Sequence, residues 1–443
     1  MTASTTSAVH AAGSPPDTAG GSPPIRSHRA SLLGFAFVLG GSAGSAGLAA
    51  IANWITANGL GPADFGRFSL AMALMTVFLE LGGPAIDTAI VRFASPLADK
   101  HPERAEAYFR AGLLLKLAVG GTVALLLIGT ADLVATHLFH DPSLGTIIRW
   151  LAVCLLAGNL STISLARLQS AERFIAHSSL RILTNALKIS LLGGLLLVGM
   201  LTPESAAVAW TLSFALAYIV GLTMCGFGGV RPQPAPQERP GWNILRVARW
   251  SMLSGLLFAI HIRTDVILLG HYGSPHDVGG YAVAWSLMLL LDLITSSLVI
   301  ALMPMAARAR TPEAVSALRR RTVLIATGLA VGLLPLYAFA PELMHALFPA
   351  YGHAVAPFRM LFWSSIVVLL VYPLYLGFYA EDRPDKLVIA YGLMCLTGIG
   401  VGLAIIPTHG ADGAATTMLI ARLVGAAVIL LLLAAEFRRR RQR

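Results

Sequence analysis

The amino-acid sequence predicts an all-α polytopic membrane protein, with about twelve transmembrane helices in two pseudo-symmetric six-helix lobes around a central cavity. Three observations support this fold class. Hydrophobic residues make up 56% of the 443 residues and charged residues only 12%, whereas soluble globular chains carry roughly 25% charged residues. Apolar stretches of about 20 residues, the length that crosses a bilayer, recur along the chain. A short signature also occurs once in each half.

The repeated signature has the form Asp-x-Gly-x-aromatic-x-aliphatic-Ala. Its copies are residues 64–71 and 277–284, and each copy lies between two long apolar stretches. Two related halves are typical of secondary transporters, in which two bundles rock about a shared central site. The repeat therefore favours transport over catalysis.

The first lobe is predicted over residues 31–228. It follows a cytoplasmic tail, residues 1–30, which is rich in Ser, Ala, Gly and Pro and has no apolar run. Such a composition predicts disorder. The six apolar stretches of this lobe, in chain order, are 32–55, 68–90, 111–135, 147–168, 182–201 and 205–227.

A polar, proline-rich segment at 229–245 separates the halves. Its composition is typical of a linker, and such a segment cannot cross a membrane. The second lobe is predicted over residues 246–437, and a basic cytoplasmic tail follows at 438–443. The apolar stretches of the second lobe are 248–270, 281–303, 323–348, 358–378, 387–406 and 414–436.

The cations indicate the orientation. If both termini are on the same side of the membrane, most of the 32 Lys and Arg residues also fall on that side. An excess of Lys and Arg is typical of short cytoplasmic loops. We therefore expect a multi-pass protein of a bacterial inner membrane with both termini in the cytoplasm. The net charge of +10 reflects this topology, so we expect no nucleic-acid binding. The arginines at 438–441 are expected to contact anionic membrane lipid.

Several short motifs resemble those of polysaccharide-export flippases, including O-antigen flippases, in the multidrug/oligosaccharidyl-lipid/polysaccharide (MOP) flippase superfamily. They are Ile-Arg-Thr-Asp-Val-Ile-Leu-Leu-Gly at 262–270, the second signature copy, Leu-Met-Pro at 302–304, and Gly-Pro through Phe at 61–68. The resemblance implies alternating access and a cargo of lipid-linked oligosaccharide of the polyprenyl-diphosphate type, used in polysaccharide or lipopolysaccharide biosynthesis. We expect the transporter to act as a monomer.

Two carboxylates are expected at matching depths. Glu80 lies about a dozen residues into the second apolar stretch and Asp292 about as far into the eighth. A charge near the membrane centre costs about 3 kcal/mol, so both are candidates for coupling to H⁺ or Na⁺. The simpler alternative is that each carboxylate satisfies a neighbouring polar group. Gly-Gly-Pro at 82–84 predicts a bent or broken helix directly after Glu80.

The seventh stretch contains a cluster of three ionisable residues: His261, Arg263 and Asp265. The guanidinium group of Arg263 is a candidate anchor for phosphate, because its forked donors match phosphate oxygens in pairs. Alternatively, Arg263 extends to the interface. Helical spacing predicts that His261 and Asp265 share one face, and both are candidates for substrate binding and, as a pair, for coupling to an ion. Arg422, midway along the last stretch, is a secondary candidate for substrate binding.

Other intramembrane charges are expected to be structural. Lys116 and Lys188 lie near the predicted cytoplasmic side, where their side chains can extend to the interface. Asp87 is expected to pair with Arg92. The cysteines, Cys154, Cys225 and Cys395, show no metal-ligand spacing, so we expect no metal or other cofactor.

Enzymatic function finds little support. There is no phosphate-binding G-x-x-x-x-G-K motif, and no predicted loop is long enough for a soluble catalytic domain. A glycan polymerase or ligase embedded in the membrane stays open as an enzyme alternative. A cation-coupled multidrug exporter of the same superfamily is the alternative within transport. The expected mechanism is rocking of the lobes, driven by a proton or sodium gradient or by consumption of the product.

Overall fold

The computed structural model describes residues 28–98, 100–226, 238–308, 311–375 and 385–441. Within these ranges the chain is helical and contains no strand, which confirms the predicted all-α class. The helices are α1 (His28–Gly82), α2 (Pro84–Ala94), α3 (Pro102–Leu133), α4 (Leu144–Ser170), α5 (Phe174–Leu197), α6 (Pro203–Cys225), α7 (Pro240–His261), α8 (Thr264–Tyr272), α9 (Pro275–Arg308), α10 (Pro312–Ala338), α11 (Ala340–Leu347), α12 (Val355–Val371) and α13 (Asp385–Arg441).

The two longest helices each contain a break. Helix α1 has 55 residues, which would span about 80 Å if it were straight, far more than a bilayer of about 30 Å. Its backbone leaves helical geometry at Gly61, where φ is 76°, a value that glycine adopts readily. Helix α13 has 57 residues and breaks in the same way at Gly410, where φ is 53°. Ten helical stretches of the described chain are long and apolar enough to cross a membrane, and these two breaks raise the number of crossings to twelve.

Successive crossings run in opposite directions, so the connections fall at two ends of the molecule. We call the end that holds Gly61 and the start of α9 at Pro275 the motif end, because both signature copies lie there. The opposite end, where α1, α5 and α7 begin, is called the terminal end. Two further breaks occur between these ends. Helix α1 stops at Gly82 and α2 starts at Pro84, which confirms the break predicted after Glu80. Helix α7 stops at His261 and α8 starts at Thr264.

The two signature copies pack against each other at the motif end. A Cβ atom on Gly66 would lie 1.8 Å from the carbonyl oxygen of Pro275, and a Cβ atom on Gly279 would lie 1.9 Å from the carbonyl oxygen of Pro62. The contact is reciprocal, because the same signature glycine in each half meets the backbone of the other half. Only glycine allows such an approach, so the signature encodes a close crossing of α1 and α9.

Polar contacts reinforce this closure. The hydroxyl of Tyr351 donates a hydrogen bond of 2.6 Å to the carbonyl oxygen of Ala57. The indole of Trp54 and the amide of Asn58 both donate to the carbonyl oxygen of Leu347, at 2.8 and 3.0 Å. Each of these bonds joins α1 to the segment around α11 and the turn Pro349–Ala354. The motif end is therefore closed in this conformation.

An ion cluster next to the first signature copy holds the turn between α3 and α4. Arg67 contacts Asp64 at 2.8 Å and Asp141 at 2.7 Å. Burial acts to raise the pKa of Asp141, but hydrogen bonds from Ser143 and Arg67 outweigh this effect and lower the pKa below its ordinary value. The cluster consequently stays charged in mildly acidic medium.

Two lysines lie deeper than the sequence analysis predicts. Helix α3 starts at Pro102, and Lys116 is fully buried with its amine 2.6 Å from Asp87. The prediction that Asp87 pairs with Arg92 and that Lys116 extends to the interface is therefore wrong. Lys188, 5% exposed, lies with its amine 3.6 Å from the ring centroid of Trp210. It makes a cation–π contact inside the bundle and does not extend to the interface.

The predicted tail at 1–30 and the linker at 229–245 fall largely outside the described residues. Helix α13 continues through Arg441, so the arginines of the predicted tail at 438–441 are helical. The lobe boundaries at 31–228 and 246–437 stay predictions. In the described part of the chain, α7 packs against α2 through Ile244 and Ala248, which join the apolar cluster around Ile86 and Ile90.

Candidate functional site

A central cavity of about 580 Å³ lies between α1 and α9, on the terminal side of the signature crossing. Its size is within the usual range for a ligand pocket. Aromatic residues form much of its wall: Trp54, Phe65, Phe68, Trp210, Tyr281, Trp285 and Phe348. Three polar side chains also line it: Asn53, Ser69 and Ser286. The amide of Asn53 donates a hydrogen bond of 2.7 Å to the hydroxyl of Ser286, which joins α1 to α9 across the wall.

Arg263 is the charged residue that lines this cavity in the described part of the chain. It occupies the turn between α7 and α8, and its backbone carbonyl accepts a hydrogen bond from Ile267 of the first turn of α8. The guanidinium carbon lies 5.6 Å from the ring centroid of Trp285. The Nε atom is buried without a hydrogen-bond partner among the described residues. A buried guanidinium donor without a partner is costly, so this side chain is available for an anionic ligand.

Asp265 lies behind this wall and is 2% exposed. Its carboxylate accepts a hydrogen bond from the hydroxyl of Tyr281, which itself lines the cavity. The other carboxylate oxygen accepts a bond of 2.7 Å from the backbone amide of Val266. Asp265 thus fixes the orientation of Tyr281 and the start of α8. Its negative charge near Arg263 also offsets part of the cost of burying the cation.

The prediction that His261 and Asp265 share a helical face is wrong. The turn at Ile262 and Arg263 separates α7 from α8, so the four-residue spacing of a continuous helix does not apply. His261 instead faces α13, with its Nδ1 atom 3.9 Å from the Cβ position of Gly398. It is 2% exposed and does not line the cavity.

Asp292 and Arg422 are partners, although the sequence analysis assigns them separate roles. Two guanidinium nitrogens of Arg422 donate to the carboxylate of Asp292, at 2.7 and 3.2 Å. The hydroxyl of Ser365 donates a third bond of 2.8 Å. This network joins α9, α12 and α13, and its residues are not among those that line the cavity. The geometry therefore favours a structural role for both charges.

We expect that Arg422→Met destabilises the protein by about 2 kcal/mol, because it leaves the partly buried carboxylate of Asp292 without its cation. The double variant Arg422→Met/Asp292→Leu should recover most of this loss, because it removes both charges together. Thermal unfolding of the purified variants measures both effects. If each single variant abolished transport while its unfolding temperature stayed at the wild-type value, the charges would act on cargo or ions instead.

Glu80 differs from Asp292 in its surroundings. One carboxylate oxygen of Glu80 lies 2.8 Å from the position that a Cβ atom on Gly255 of α7 would occupy. The described residues provide no hydrogen-bond partner or ion pair for it. Glu80 is half-buried in the last turn of α1, before the break at Gly83. Glu80 and Asp292 lie at matching depths in the sequence, but of these two carboxylates only Glu80 has no partner among the described residues and can bind a proton or a cation.

Sequence reasoning missed the aromatic wall and the lysine behind it. Trp210 in α6 contacts Phe68 edge-on at 5.9 Å between centroids, and the amine of Lys188 lies over the Trp210 ring. These residues come from three distant parts of the sequence, so no local pattern indicates that they meet. One local pattern does indicate part of the aromatic wall. Trp285 lies four residues after Tyr281, and residues at this spacing share a helical face.

Comparisons with known proteins bear on the fold. A family model described as Polysaccharide biosynthesis protein matches residues 32–310. No curated protein matches the chain. Among solved structures, a multidrug resistance MATE family transporter of the MOP superfamily, in an inward-facing conformation, is 16% identical with a TM-score of 0.78. That match covers 90% of this chain and 96% of the other.

Two further structures extend this similarity. The lipid II flippase MurJ, in an inward closed conformation, is 13% identical with a TM-score of 0.74, covering 90% of this chain and 87% of the other. A MOP superfamily transporter from Pyrococcus furiosus, described by the reverse polarity of its binding pocket, is 17% identical with a TM-score of 0.62 and covers 90% and 93%. At these identities the similarity shows a shared fold, that of MOP superfamily transporters.

Proposed function

The chain belongs to the family of polysaccharide biosynthesis proteins, and from this premise we propose that it is a flippase that moves a lipid-linked oligosaccharide of the polyprenyl-diphosphate type across the bacterial inner membrane. The membership and the fold make it a membrane transporter of the MOP superfamily. The observation that supports this cargo is the guanidinium group of Arg263, whose Nε atom has no partner among the described residues, in a cavity that no described carboxylate lines.

The charge of the cavity supports an anionic headgroup. A diphosphate presents several oxygens, and a guanidinium group binds two of them at once. The apolar wall strengthens this attraction, because it excludes the water that would otherwise screen the charges. Asp265 is not a competing ligand for a cation in the cavity, since its carboxylate oxygens are bonded to Tyr281 and Val266.

The aromatic wall supports a sugar-bearing cargo. Aromatic rings offer flat apolar surfaces, and the C–H faces of sugar rings pack against such surfaces while their hydroxyl groups need polar partners. The cavity provides both, with Trp54, Trp210 and Trp285 on the wall and Asn53, Ser69 and Ser286 between them. A cavity lined in this way suits one or a few sugar units next to the diphosphate.

The direction of movement follows from the closed motif end. The excess of Lys and Arg at the terminal end supports an orientation with that end in the cytoplasm and the motif end outside the cell. Cargo then reaches the cavity from the cytoplasmic side, and separation of α1 from α9 at the signature crossing releases it outside. This mechanism requires two states of similar free energy.

Glu80 is the proposed coupling site. In α1 it lies eight residues nearer the terminal end than Met72, which lines the cavity. An ionised carboxylate there repels an anionic headgroup, whereas a carboxylate that has bound H⁺ or Na⁺ does not. Binding of the ion therefore favours the passage of cargo. Asp292 is already neutralised by Arg422 and is less suited to this role.

We expect Glu80→Gln to retain transport but to lose its dependence on a pH or sodium gradient. Gln keeps the shape of the protonated side chain but cannot exchange a proton. Flipping of a fluorescent lipid-linked oligosaccharide in proteoliposomes, measured with and without each gradient, tests this prediction. Asp292→Asn is the matched control, and its gradient dependence should persist. Gradient-dependent flipping by Glu80→Gln would rule out Glu80 as the coupling site.

A cation-coupled multidrug exporter is the alternative within the superfamily, and the similarity to MATE transporters agrees with it. Such an exporter needs an acidic residue that faces its cationic substrate. The described lining of the cavity contains Arg263 and no acid, which favours the lipid-linked cargo. A membrane-embedded glycan polymerase or ligase gains no support from the family or from the similar folds, which are those of transporters.

Reconstitution tests the proposal directly. Proteoliposomes that contain the purified protein should translocate a polyprenyl-diphosphate oligosaccharide, as measured by its accessibility to a lectin or glycosidase on the opposite side. A cationic dye at the same concentration should not be transported. Accumulation of the dye without movement of the oligosaccharide would establish the exporter alternative.

A further inference from the structure

A second concave surface lies on α7, toward the terminal end. It encloses about 390 Å³ and is lined by Leu81 of α1 and by seven residues of α7: Trp242, Leu245, Arg246, Arg249, Met252, Leu253 and Leu256. We call this surface the arginine groove. The α7 residues follow the spacing of one helical face. The opposite face, with Ile244 and Ala248, is buried against the cluster around Ile86.

The arginine groove combines two cations with an apolar floor. Arg246 and Arg249 are three residues apart on one face, so their Cβ atoms are about 5 to 6 Å apart. Both are exposed, and neither forms a salt bridge within the described part of the chain. None of the described acidic side chains lines the groove. The surface is thus complementary to a compact dianion that is attached to an apolar chain.

The apolar residues of the arginine groove indicate that its ligand is a lipid. Trp242 at one end is 62% exposed, and an exposed Trp near the end of a transmembrane helix is typical of the membrane interface. Leu245, Met252 and Leu256 extend from there toward the membrane centre. A soluble phosphate compound has no apolar part to pack against these residues, whereas the first isoprene units of a lipid would bury apolar surface against them.

We propose that the arginine groove binds the diphosphate headgroup and first isoprene units of a polyprenyl-diphosphate lipid in the leaflet at the terminal end, before the headgroup reaches the cavity. This inference rests on the proposed function. Arg249 precedes Arg263 by 14 residues, so the two sites are about 21 Å apart along α7. Glu80 lies between them, next to Leu81 of the groove and Gly255 of α7. The lipid thus moves from one arginine site to the other past the coupling carboxylate.

The test uses the full-length protein in phosphatidylcholine nanodiscs that contain a polyprenyl diphosphate with a photoactivatable group on its first isoprene unit. We expect crosslinks to the α7 face between residues 242 and 256. Arg246→Gln/Arg249→Gln should reduce this crosslinking about thirtyfold, the factor expected for two cations near an anionic headgroup. Arg246→Lys/Arg249→Lys should retain most of it. The matched control, Arg320→Gln/Arg321→Gln, removes the same charge from exposed positions of α10 and should label like the wild type.

Three competitors or controls can overturn the proposal. Equal loss of crosslinking in the α10 control would show a general charge effect. Full competition by phosphatidylglycerol would show an unspecific anionic-lipid surface, and full competition by equimolar inorganic pyrophosphate would show that the lipid chain contributes nothing. Flipping is measured in parallel on the same protein. Wild-type protein that flips cargo without crosslinks in the groove overturns only this inference, whereas crosslinking without flipping overturns only the proposed function.

Discussion

Replacing Arg263 with Gln is expected to slow transport of the lipid-linked oligosaccharide about a hundredfold. The variant removes the cation that lines the cavity, and loss of one partner of a buried charge-assisted contact costs about 3 kcal/mol. The loss should appear mainly in the maximal rate, because Arg263 acts after the lipid has been captured. Flipping in proteoliposomes at increasing cargo density separates the maximal rate from half-saturation.

The control for this variant is Arg359→Gln. Arg359 also lies against an aromatic ring, 5.4 Å from the centroid of Tyr337, and also has a buried Nε atom without a partner. It does not line the cavity. Equal loss of transport in both variants would indicate that a buried guanidinium group serves the fold and not the cargo. Arg263→Lys should show intermediate activity, because it keeps the charge but loses the paired donors.

Adding side chains at the signature crossing is expected to open the motif end. In Gly66→Ala/Gly279→Ala each Cβ atom would overlap a backbone carbonyl of the other half, and backbone atoms cannot rotate away. Overpacking costs about 1 to 3 kcal/mol at each site, hence about 2 to 6 kcal/mol for both, so the double variant should favour the open state by a factor of at least about thirty. Because transport needs both states, it should nearly cease.

Distance measurement tests this shift. Spin labels at Met200→Cys in the loop after α5 and at Glu342→Cys in α11 report on the two halves at the motif end. Their separation should increase in the double alanine variant. Gly121→Ala/Gly328→Ala is the control, because nothing lies within 4 Å of either Cβ position, and its distances should match the wild type. An unchanged distance in the signature variant would mean that the crossing does not hold the closed state.

Local signals in the sequence predicted some features of the site. Gly82, Gly83 and Pro84 are neighbours whose backbone preferences disfavour a continuous helix, so the break after Glu80 needed no tertiary information. A buried cation is costly wherever it lies, so Arg263 is a candidate functional residue from the sequence alone, and in the structure it lines the cavity.

Other predictions failed for three different reasons. The predicted depths of Lys116 and Lys188 assume that each helix begins with its apolar stretch, but α3 and α5 begin nine and eight residues earlier, in more polar sequence. The pairing of Arg422 with Asp292 joins residues 130 positions apart, and no pattern in a single sequence reports such a contact. Separation of His261 from Asp265 required the turn at Arg263, which has no glycine or proline to mark it.

Composition, apolar length and the repeated signature are sufficient to decide that this chain is a two-part helical membrane protein. They are sufficient because the bilayer requires a helix of about 20 apolar residues wherever the chain crosses it. Only the packing of the folded chain decides which charged side chains have a partner and which do not. An ionisable group acts on cargo or ions only if no neighbour satisfies it, and the neighbours of Glu80, Arg263 and Asp292 come from helices that only the folded chain brings together.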